Sequence, residues 1–208
     1  MKILLSDLGK RYNREWIFRN ICFEFESAAH CAITGSNGSG KSTLLQILAG
    51  AIRPSEGNIQ YVDGEQSIHS EEIFRLVSFV APYLELPTEM TLREYFNFHF
   101  SLKPPINNLT SDEIISRIAL EKSSDKQIRY FSSGMTQRVK LAQAIFSNTP
   151  IVLLDEPTIN LDESGIALYH SLISNYCDDR LVVVSSNDAD EYNYCTKILP
   201  IQRYKNSF

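Results

Sequence analysis

Eight consecutive residues have the composition and spacing of a phosphate-binding loop. They fit the pattern G-x-x-x-x-G-K-[ST] and are Gly35, Ser36, Asn37, Gly38, Ser39, Gly40, Lys41 and Ser42. Glycines allow backbone N–H groups to approach phosphate oxygens without a Cβ in the way. In this pattern the lysine reaches the β- and γ-phosphates and the last hydroxyl is a ligand of Mg²⁺. The loop therefore predicts nucleoside triphosphate binding, with the next residue, Thr43, also in contact.

Two acidic residues that end a later apolar run could complete this chemistry. Residues 151–154 are Ile-Val-Leu-Leu, and Asp155 and Glu156 follow them directly. Ligands of α/β proteins bind at the carboxyl ends of the strands, where these side chains would lie. Asp155 is expected to hold Mg²⁺, directly or through water, and Glu156 to polarise the attacking water. Apolar runs that end in Asp-Glu are common, and this pair predicts a catalytic role only because the chain also has a phosphate-binding loop.

The elements that must position these residues are those of an α/β fold. Apolar runs at 30–34, 76–80, 151–154 and 181–184 predict buried parallel strands, and residues 43–49 predict a helix that Gly50 ends. The period-two alternation at 21–25 and the short segment 57–64 predict an antiparallel patch. Residues 91–147 have a helical character and contain no apolar strand of this kind. The pattern predicts an α/β core with a helical insertion.

A third motif gives the chain a family resemblance that extends over nearly its whole length. Residues 131–138, Phe-Ser-Ser-Gly-Met-Thr-Gln-Arg, resemble the LSGGQ-x-QR signature of the ATP-binding subunits of ABC transporters. Ser133 and Met135 depart from that pattern. The resemblance implies a P-loop NTPase with a RecA-like core at 1–90 and 148–208 and a helical subdomain at about 91–147, together one ABC ATPase domain at 1–208. It also implies that Ser132, Ser133 and Gly134 contact ATP held by a second subunit.

The resemblance assigns roles to two further residues. Tyr12 is similar to the aromatic residue that stacks on adenine, although a tyrosine there could also be an ordinary exposed strand residue. Asp162 lies in the loop after the catalytic glutamate, where the family contacts the opposite subunit. An aspartate at this place could equally cap a helix, and both roles are expected.

Two positions break the family pattern. The glutamine that the family has after the strand at 76–80 falls on Pro82 or Tyr83, and Glu85 is the nearest substitute. The histidine that contacts the γ-phosphate is replaced by Asn187, which can donate a hydrogen bond but carries no charge. Because charge stabilisation is a major term in phosphoryl transfer, we expect hydrolysis to be slow.

The bulk composition excludes several classes of partner and location. The net charge of −5 gives no basic footprint for nucleic acid. The four cysteines, Cys22, Cys31, Cys177 and Cys195, have no metal-ligand spacing. No apolar run is long enough to cross a bilayer, and the N-terminus lacks the apolar stretch of a signal peptide. We therefore expect a cytoplasmic protein, held peripherally at the cytoplasmic face of a membrane by a partner.

Two functions from different classes remain open. The first is an ATP- and Mg²⁺-dependent ATPase subunit that forms a dimer, expected to be a homodimer, and drives an integral membrane transporter subunit. The compact length resembles haem-exporter and lipoprotein-release subunits, which favours export. The second is a soluble ABC-type nucleotide switch that remodels a partner protein, as in iron–sulfur assembly. The aromatic stretch 95–100 fits a membrane-subunit dock and a packed helical core equally well.

Overall fold

The computed structural model describes residues 1–27 and 29–205. These residues form two compact units. The phosphate-loop unit comprises residues 1–79, 150–156 and 179–205, and the helical unit comprises residues 80–149 and 157–178. The sequence-based division kept 157–178 with the α/β core, whereas in the structure this segment packs with the helices.

The phosphate-loop unit contains two sheets within the described residues. The antiparallel sheet has the order β2-β1-β4-β5. Its strands are β1 (Lys2–Tyr12), β2 (Glu15–Glu26), β4 (Glu56–Asp63) and β5 (Gln66–Ile68). The second sheet has the order β6-β7-β8-β3-β9, and β7, β8, β3 and β9 run parallel. Its strands are β3 (Cys31–Thr34), β6 (Val77–Val80), β7 (Ile151–Asp155), β8 (Leu181–Ser185) and β9 (Lys197–Pro200).

The strands of the parallel sheet explain the continuous apolar runs of the sequence. Every residue of β7 and of β8 is buried, as expected for strands covered on both faces. In β1 and β2 buried and exposed residues mix, which suits a sheet with one face on the core. Ile3, Phe18, Phe25, Tyr61 and Leu153 belong to one buried cluster of this unit. The predicted α/β fold with an antiparallel patch is confirmed.

Helix α1 (Lys41–Leu48) follows the phosphate-binding loop and begins two residues earlier than the segment predicted as helical. Its N-cap, Gly40, has a φ of 101°, a backbone conformation that only glycine adopts without strain. The helix therefore starts directly at the lysine of the motif.

The helical unit contains α2 (Leu92–Leu102), α3 (Ser111–Arg117), α4 (Ser133–Ile145) and α5 (Glu163–Tyr176). Capping boxes start α2 at Thr91 and α3 at Thr110. None of the helices in the described part of the chain is both long and apolar enough to span a membrane.

The aromatic stretch of α2 belongs mainly to the core of the helical unit. Phe96 is fully buried, and Tyr95 and Phe100 are nearly so. His99 Nε2 is 2.9 Å from the hydroxyl of Ser147. Of the Tyr and Phe side chains in this stretch only Phe98 is largely exposed, with 49% of its surface accessible. Of the two interpretations of the stretch, the packed core accounts for most of these aromatic side chains.

Candidate nucleotide site

The phosphate-binding loop connects β3 to α1, and its shape depends on close packing against β2. A Cβ on Gly40 would overlap Cγ2 of Ile17 and approach the ring of Phe18 to 3.1 Å. A Cβ on Gly38, whose φ is 72°, would meet nothing within 4 Å. Packing therefore requires a glycine at position 40, whereas position 38 has open space beside the backbone.

Hydrogen bonds of Lys41 and Asn187 connect the phosphate-binding loop to the segment that follows β8. Lys41 is 5% exposed, and its Nζ donates to the carbonyl of Gly35 at 2.8 Å and to Oδ1 of Asn187 at 3.2 Å. Nδ2 of Asn187 donates to Oδ1 of Asn37 at 2.6 Å. The structure thus brings together the motif lysine and the residue predicted to replace the family's histidine.

A cavity of about 230 Å³ lies over the loop. The predicted residues that line it come from the loop, from the first turn of α1 and from the end of β7. They are Asn37, Gly38, Gly40, Lys41, Ser42, Thr43 and Glu156. Ile17 of β2 also lines the cavity, although no pattern in the sequence singled it out.

Asp155 ends β7 and is almost completely buried, with 2% of its surface accessible. Burial raises the pKa of its carboxyl group, while the nearby hydroxyls of Ser42 and Ser185 and the charge of Lys41 act in the opposite direction. Its Oδ1 atom has no hydrogen-bond partner among the described residues. A buried carboxylate oxygen without a partner beside a serine hydroxyl is a suitable donor set for a hard cation such as Mg²⁺.

Glu156 has a φ of 46°, in the left-handed region that residues with a Cβ rarely adopt. Its N–H group donates to the carbonyl of Ser185 at 2.9 Å, which holds the backbone at the end of β8. Such strain costs about 1–3 kcal/mol and is concentrated at functional sites. The conformation places Glu156 in the wall of the cavity.

Four predicted nucleotide-binding residues do not line the cavity. Tyr12 is 48% exposed, with Nζ of Lys10 5.0 Å from its ring centroid. Gly35 and Ser39 belong to the loop but do not line the cavity, and the Ser39 hydroxyl is buried. Ser36 Oγ accepts a hydrogen bond of 2.6 Å from Nε2 of Gln202, so its hydroxyl is already engaged.

The signature residues lie at the start of α4, within the helical unit. Ser132 is the N-cap, and its Oγ accepts a hydrogen bond from the Met135 N–H at 3.3 Å. A Cβ on Gly134 would be 3.1 Å from the carbonyl oxygen of Asn160. A surface cavity of about 370 Å³ is lined by Ser132, Ser133, Gly134, Met135, Arg138, Asn160, Leu161 and Asp162.

Asp162 caps α5, as the sequence allowed. Its Oδ1 accepts hydrogen bonds from the Ser164 hydroxyl and the Gly165 N–H, both at 2.8 Å. These bonds, with the charge of Arg138, lower the pKa of the Asp162 carboxyl group. Arg138 Nη2 also donates to Ser164 at 2.9 Å. Asp162, Ser164 and Arg138 of α4 thus form a connected set of hydrogen bonds at the N-terminus of α5.

The sequence analysis missed a buried lysine of α4 that contacts the segment after β6. Lys140 of α4 is 7% exposed, and its Nζ donates to the carbonyl of Pro82 at 3.0 Å. Burial lowers the pKa of this ammonium group. Tyr83 and Glu85, which we predicted to lie at or near the family's glutamine position, are exposed. In the sequence Lys140 stands between the apolar residues Val139 and Leu141 of a predicted helix. That pattern alone does not tell a buried lysine from one whose ammonium group reaches the solvent.

Comparisons with known proteins agree with the geometry of these two regions. Residues 18–159 match the family model of ABC transporters. The chain is 35% identical over 177 residues to the uncharacterized ABC transporter ATP-binding protein YybJ of Bacillus subtilis, covering 82% of this chain and 78% of YybJ. It is 28% identical over 193 residues to the cytochrome c biogenesis ATP-binding export protein CcmA of Agrobacterium fabrum, covering 89% and 88%. The dimeric structure of the ATP-binding cassette MJ0796, in a post-hydrolysis state with ADP and Pi, superposes with a TM-score of 0.81 at 23% identity, covering 99% and 100%.

Proposed function

Because the chain belongs to the ABC transporter family, as an ATP-binding subunit with the ATPase activity of that family, we propose that it powers an exporter through ATP-dependent dimerisation. In this proposal ATP binds at the phosphate-binding loop of one subunit and against the signature residues of another. Closure of the dimer and its reopening after hydrolysis drive a separate membrane-spanning subunit.

One observation carries the catalytic part of the proposal. The ammonium group of Lys41, the buried carboxylate of Asp155 and the strained residue Glu156 all meet at one loop in the phosphate-loop unit. Backbone N–H groups and Lys41 would hold the phosphates, and the cavity wall at Thr43 and Ile17 would extend the binding surface. Tyr12 is proposed to contact adenine from the end of β1, although it does not line the cavity.

The donor set at Ser42 and Asp155 fits Mg²⁺, because both side chains offer oxygen and Asp155 Oδ1 has no partner in the described part of the chain. Within the described residues no group of three or more His, Cys, Asp or Glu side chains could form a metal cage. This suits an ion that relies on substrate phosphates and water for its remaining ligands. When bound there, Mg²⁺ would supply positive charge that offsets the charge of the phosphates.

Glu156 is proposed to accept a hydrogen bond from the attacking water and so to orient it towards the γ-phosphate. Asn187 would donate from its amide to the γ-phosphate, close to Lys41, and it would do so without a charge. A neutral donor stabilises the transition state less than an imidazolium does. Slow turnover is therefore part of the proposal.

The helical unit is proposed to supply the contacts to the second subunit. Ser132, Ser133 and Gly134 begin a helix of 13 residues, whose N-terminus carries partial positive charge suited to a phosphate. Asp162, which lines the same surface cavity, would contact the opposite subunit. A homodimer is the simplest assembly in which each copy contributes both surfaces.

Export as the direction, and a position on the cytoplasmic face of a membrane through the transporter subunit, are supported by the similarity to CcmA. That relative is described as an ATP-binding export protein in cytochrome c biogenesis.

The decisive experiment measures steady-state hydrolysis of Mg-ATP by the purified chain beside Glu156→Gln. We expect a slow but measurable rate in the unaltered chain and a loss of at least about 100-fold in the variant, because the amide cannot act as a base. Binding of ATP should persist in Glu156→Gln. Equal rates in the two proteins, with a partner membrane fraction added, would contradict the assignment.

Copurification separates the transporter subunit from the soluble switch. We expect a tagged chain expressed in its own cells to bring down an integral membrane protein from detergent extracts. Recovery with a soluble partner alone, together with unchanged ATPase activity, would favour the switch that remodels a partner protein.

A further inference from the structure

The parallel pairing of β3 and β9 sends two chain segments out of the sheet side by side. The register pairs Thr34 with Pro200, the last residue of each strand. The phosphate-binding loop begins at the next residue of one strand, and a 3₁₀ turn, Ile201–Tyr204, begins at the next residue of the other. We call this turn together with Lys205 the C-terminal turn.

Three residues of the C-terminal turn contact the phosphate-binding loop. Ile201 is fully buried, and its Cγ2 lies 2.9 Å from the place that a Cβ on Gly35 would occupy. Nε2 of Gln202 donates to the hydroxyl of Ser36 at 2.6 Å. Nζ of Lys205 donates to the carbonyl of Gly38 at 3.3 Å.

Two of these contacts engage polar groups of the loop, namely the hydroxyl of Ser36 and the carbonyl of Gly38. A loop whose N–H groups face a phosphate turns several carbonyls the other way, and each of those needs a partner. Lys41 satisfies the carbonyl of Gly35 from within the motif. Lys205 satisfies the carbonyl of Gly38, a residue that lines the cavity.

We propose that the C-terminal turn holds the phosphate-binding loop in its nucleotide-binding shape, with Gln202 and Lys205 as positioning residues. The inference rests on the proposed function, since it concerns how tightly the same loop binds nucleotide. A preorganised loop loses less conformational freedom when the ligand arrives, so the turn contributes to affinity without touching the nucleotide.

The test is a double-mutant cycle on the full chain with Mg-ADP as the probe, which avoids hydrolysis. Gln202→Ala and Ser36→Ala should each weaken ADP binding about five-fold, as expected for loss of one hydrogen bond. The double variant should bind ADP no more weakly than either single variant, because both changes remove the same interaction. Additive losses, or an unchanged affinity in Gln202→Ala, would overturn the role of Gln202.

Lys205 has a matched control on its own turn. Arg203 is exposed and carries the same charge, and it makes no hydrogen bond to the loop among the described residues. Lys205→Ala should weaken ADP about five-fold, Lys205→Arg should restore most of the affinity, and Arg203→Ala should stay within about two-fold. Equal losses in Lys205→Ala and Arg203→Ala would show a general charge effect and reject Lys205 as a positioning residue.

Two further readouts separate positioning from simple folding. The KM for ATP should rise in Gln202→Ala and Lys205→Ala while kcat at saturating ATP stays close to that of the unaltered chain. The melting temperature of the protein without nucleotide should fall by no more than about 2–4 °C, since each variant loses one hydrogen bond of an exposed side chain. A larger fall would show that the fold itself is damaged and would reject the proposal. Failure of the unaltered chain to bind ADP would reject the proposed function itself, and this inference with it.

Discussion

The phosphate-loop unit and the helical unit treat their polar groups differently. Among the described residues, the buried side-chain polar atoms without a hydrogen-bond partner are Ser39 Oγ, Asp155 Oδ1 and Ser185 Oγ, and all belong to the phosphate-loop unit. In the helical unit the candidate residues satisfy one another, as Asp162 does with Arg138, Ser164 and Gly165. Within the described residues, the first region leaves Oδ1 of Asp155 available for a ligand, whereas in the second Asp162 already has its hydrogen-bond partners.

This difference accounts for how far each motif can vary. In the phosphate-loop unit the backbone itself must take unusual conformations, at Gly40 and at Glu156. In the helical unit the requirement is a helix N-terminus capped by Ser132, which tolerates serine at 133 and methionine at 135. We therefore predict that substitutions are tolerated less well in the motif that needs unusual backbone conformations than in the motif that needs a helix cap.

Alanine substitutions at one glycine of each motif should give the largest effects on nucleotide affinity and stability. They test directly whether the two motifs differ in tolerance. Gly40→Ala forces a Cβ into Ile17 at a φ of 101°. We expect a loss of about 1–3 kcal/mol in the free energy of unfolding and a fall of about 100-fold in ATP affinity, because the loop is displaced. Urea unfolding and equilibrium nucleotide binding measure the two quantities.

Gly134→Ala is the counterpart in the helical unit. Its Cβ would meet the Asn160 carbonyl oxygen at 3.1 Å, so the neighbour must yield by a few tenths of an ångström, while alanine favours the helix. The free energy of unfolding should change by less than about 1 kcal/mol. A larger loss from Gly134→Ala than from Gly40→Ala would contradict the contrast between a strict and a permissive motif.

The second prediction concerns Asn187, the neutral residue that contacts Lys41 and Asn37. Asn187→His should raise the turnover of ATP about ten-fold, because a histidine can bring positive charge to the γ-phosphate. The gain should grow as the pH falls towards the ordinary histidine pKa of about 6.5. Steady-state kinetics at several pH values measure it.

Asn187→Ala is the control for this substitution. It removes both hydrogen bonds to the loop and adds no charge, so turnover should fall below that of the unaltered chain. An unchanged rate in Asn187→His would mean that the missing charge does not limit hydrolysis.

The sequence predicted the parts of the molecule that local chemistry dictates. The loop glycines, Lys41, and the acids Asp155 and Glu156 were recognisable because a phosphate site requires those residue types at that spacing. The apolar strands were recognisable because burial on both faces requires continuous apolar runs. The predicted α/β fold agrees with the structure for these reasons.

The residues that the sequence did not reveal depend on contacts between distant segments. Ile17 lines the cavity because β2 packs under the loop, and Gln202 reaches Ser36 because β9 pairs with β3. Lys140 bonds the carbonyl of Pro82 because α4 lies against the segment after β6. Each is an ordinary residue in its local sequence, and only the strand order or the helix packing determines what it contacts.

The smallest expected effect compares two aspartates whose pKa values shift in opposite directions. Hydrogen bonds lower the pKa of Asp162, so its charged form stabilises the fold above the unfolded-state pKa, and this stability is lost as the pH falls through the folded-state pKa. Burial raises the pKa of Asp155, so its protonated form suits the fold, and stability is lost as the pH rises through the folded-state pKa.

The same substitution should therefore have opposite signs in the two units at neutral pH. Asp162→Asn should lower the urea midpoint slightly, and Asp155→Asn, measured without nucleotide or Mg²⁺, should raise it. Both differences should shrink as the pH is lowered from about 7 to about 2, since each aspartate then becomes neutral like the asparagine that replaces it. A gain from Asp162→Asn at neutral pH would show that its hydrogen bonds do not favour the charged form. A lower urea midpoint in Asp155→Asn would show that the buried carboxylate stabilises the phosphate-loop unit. Asp155 would then resemble Asp162, and the contrast between the two units would fail.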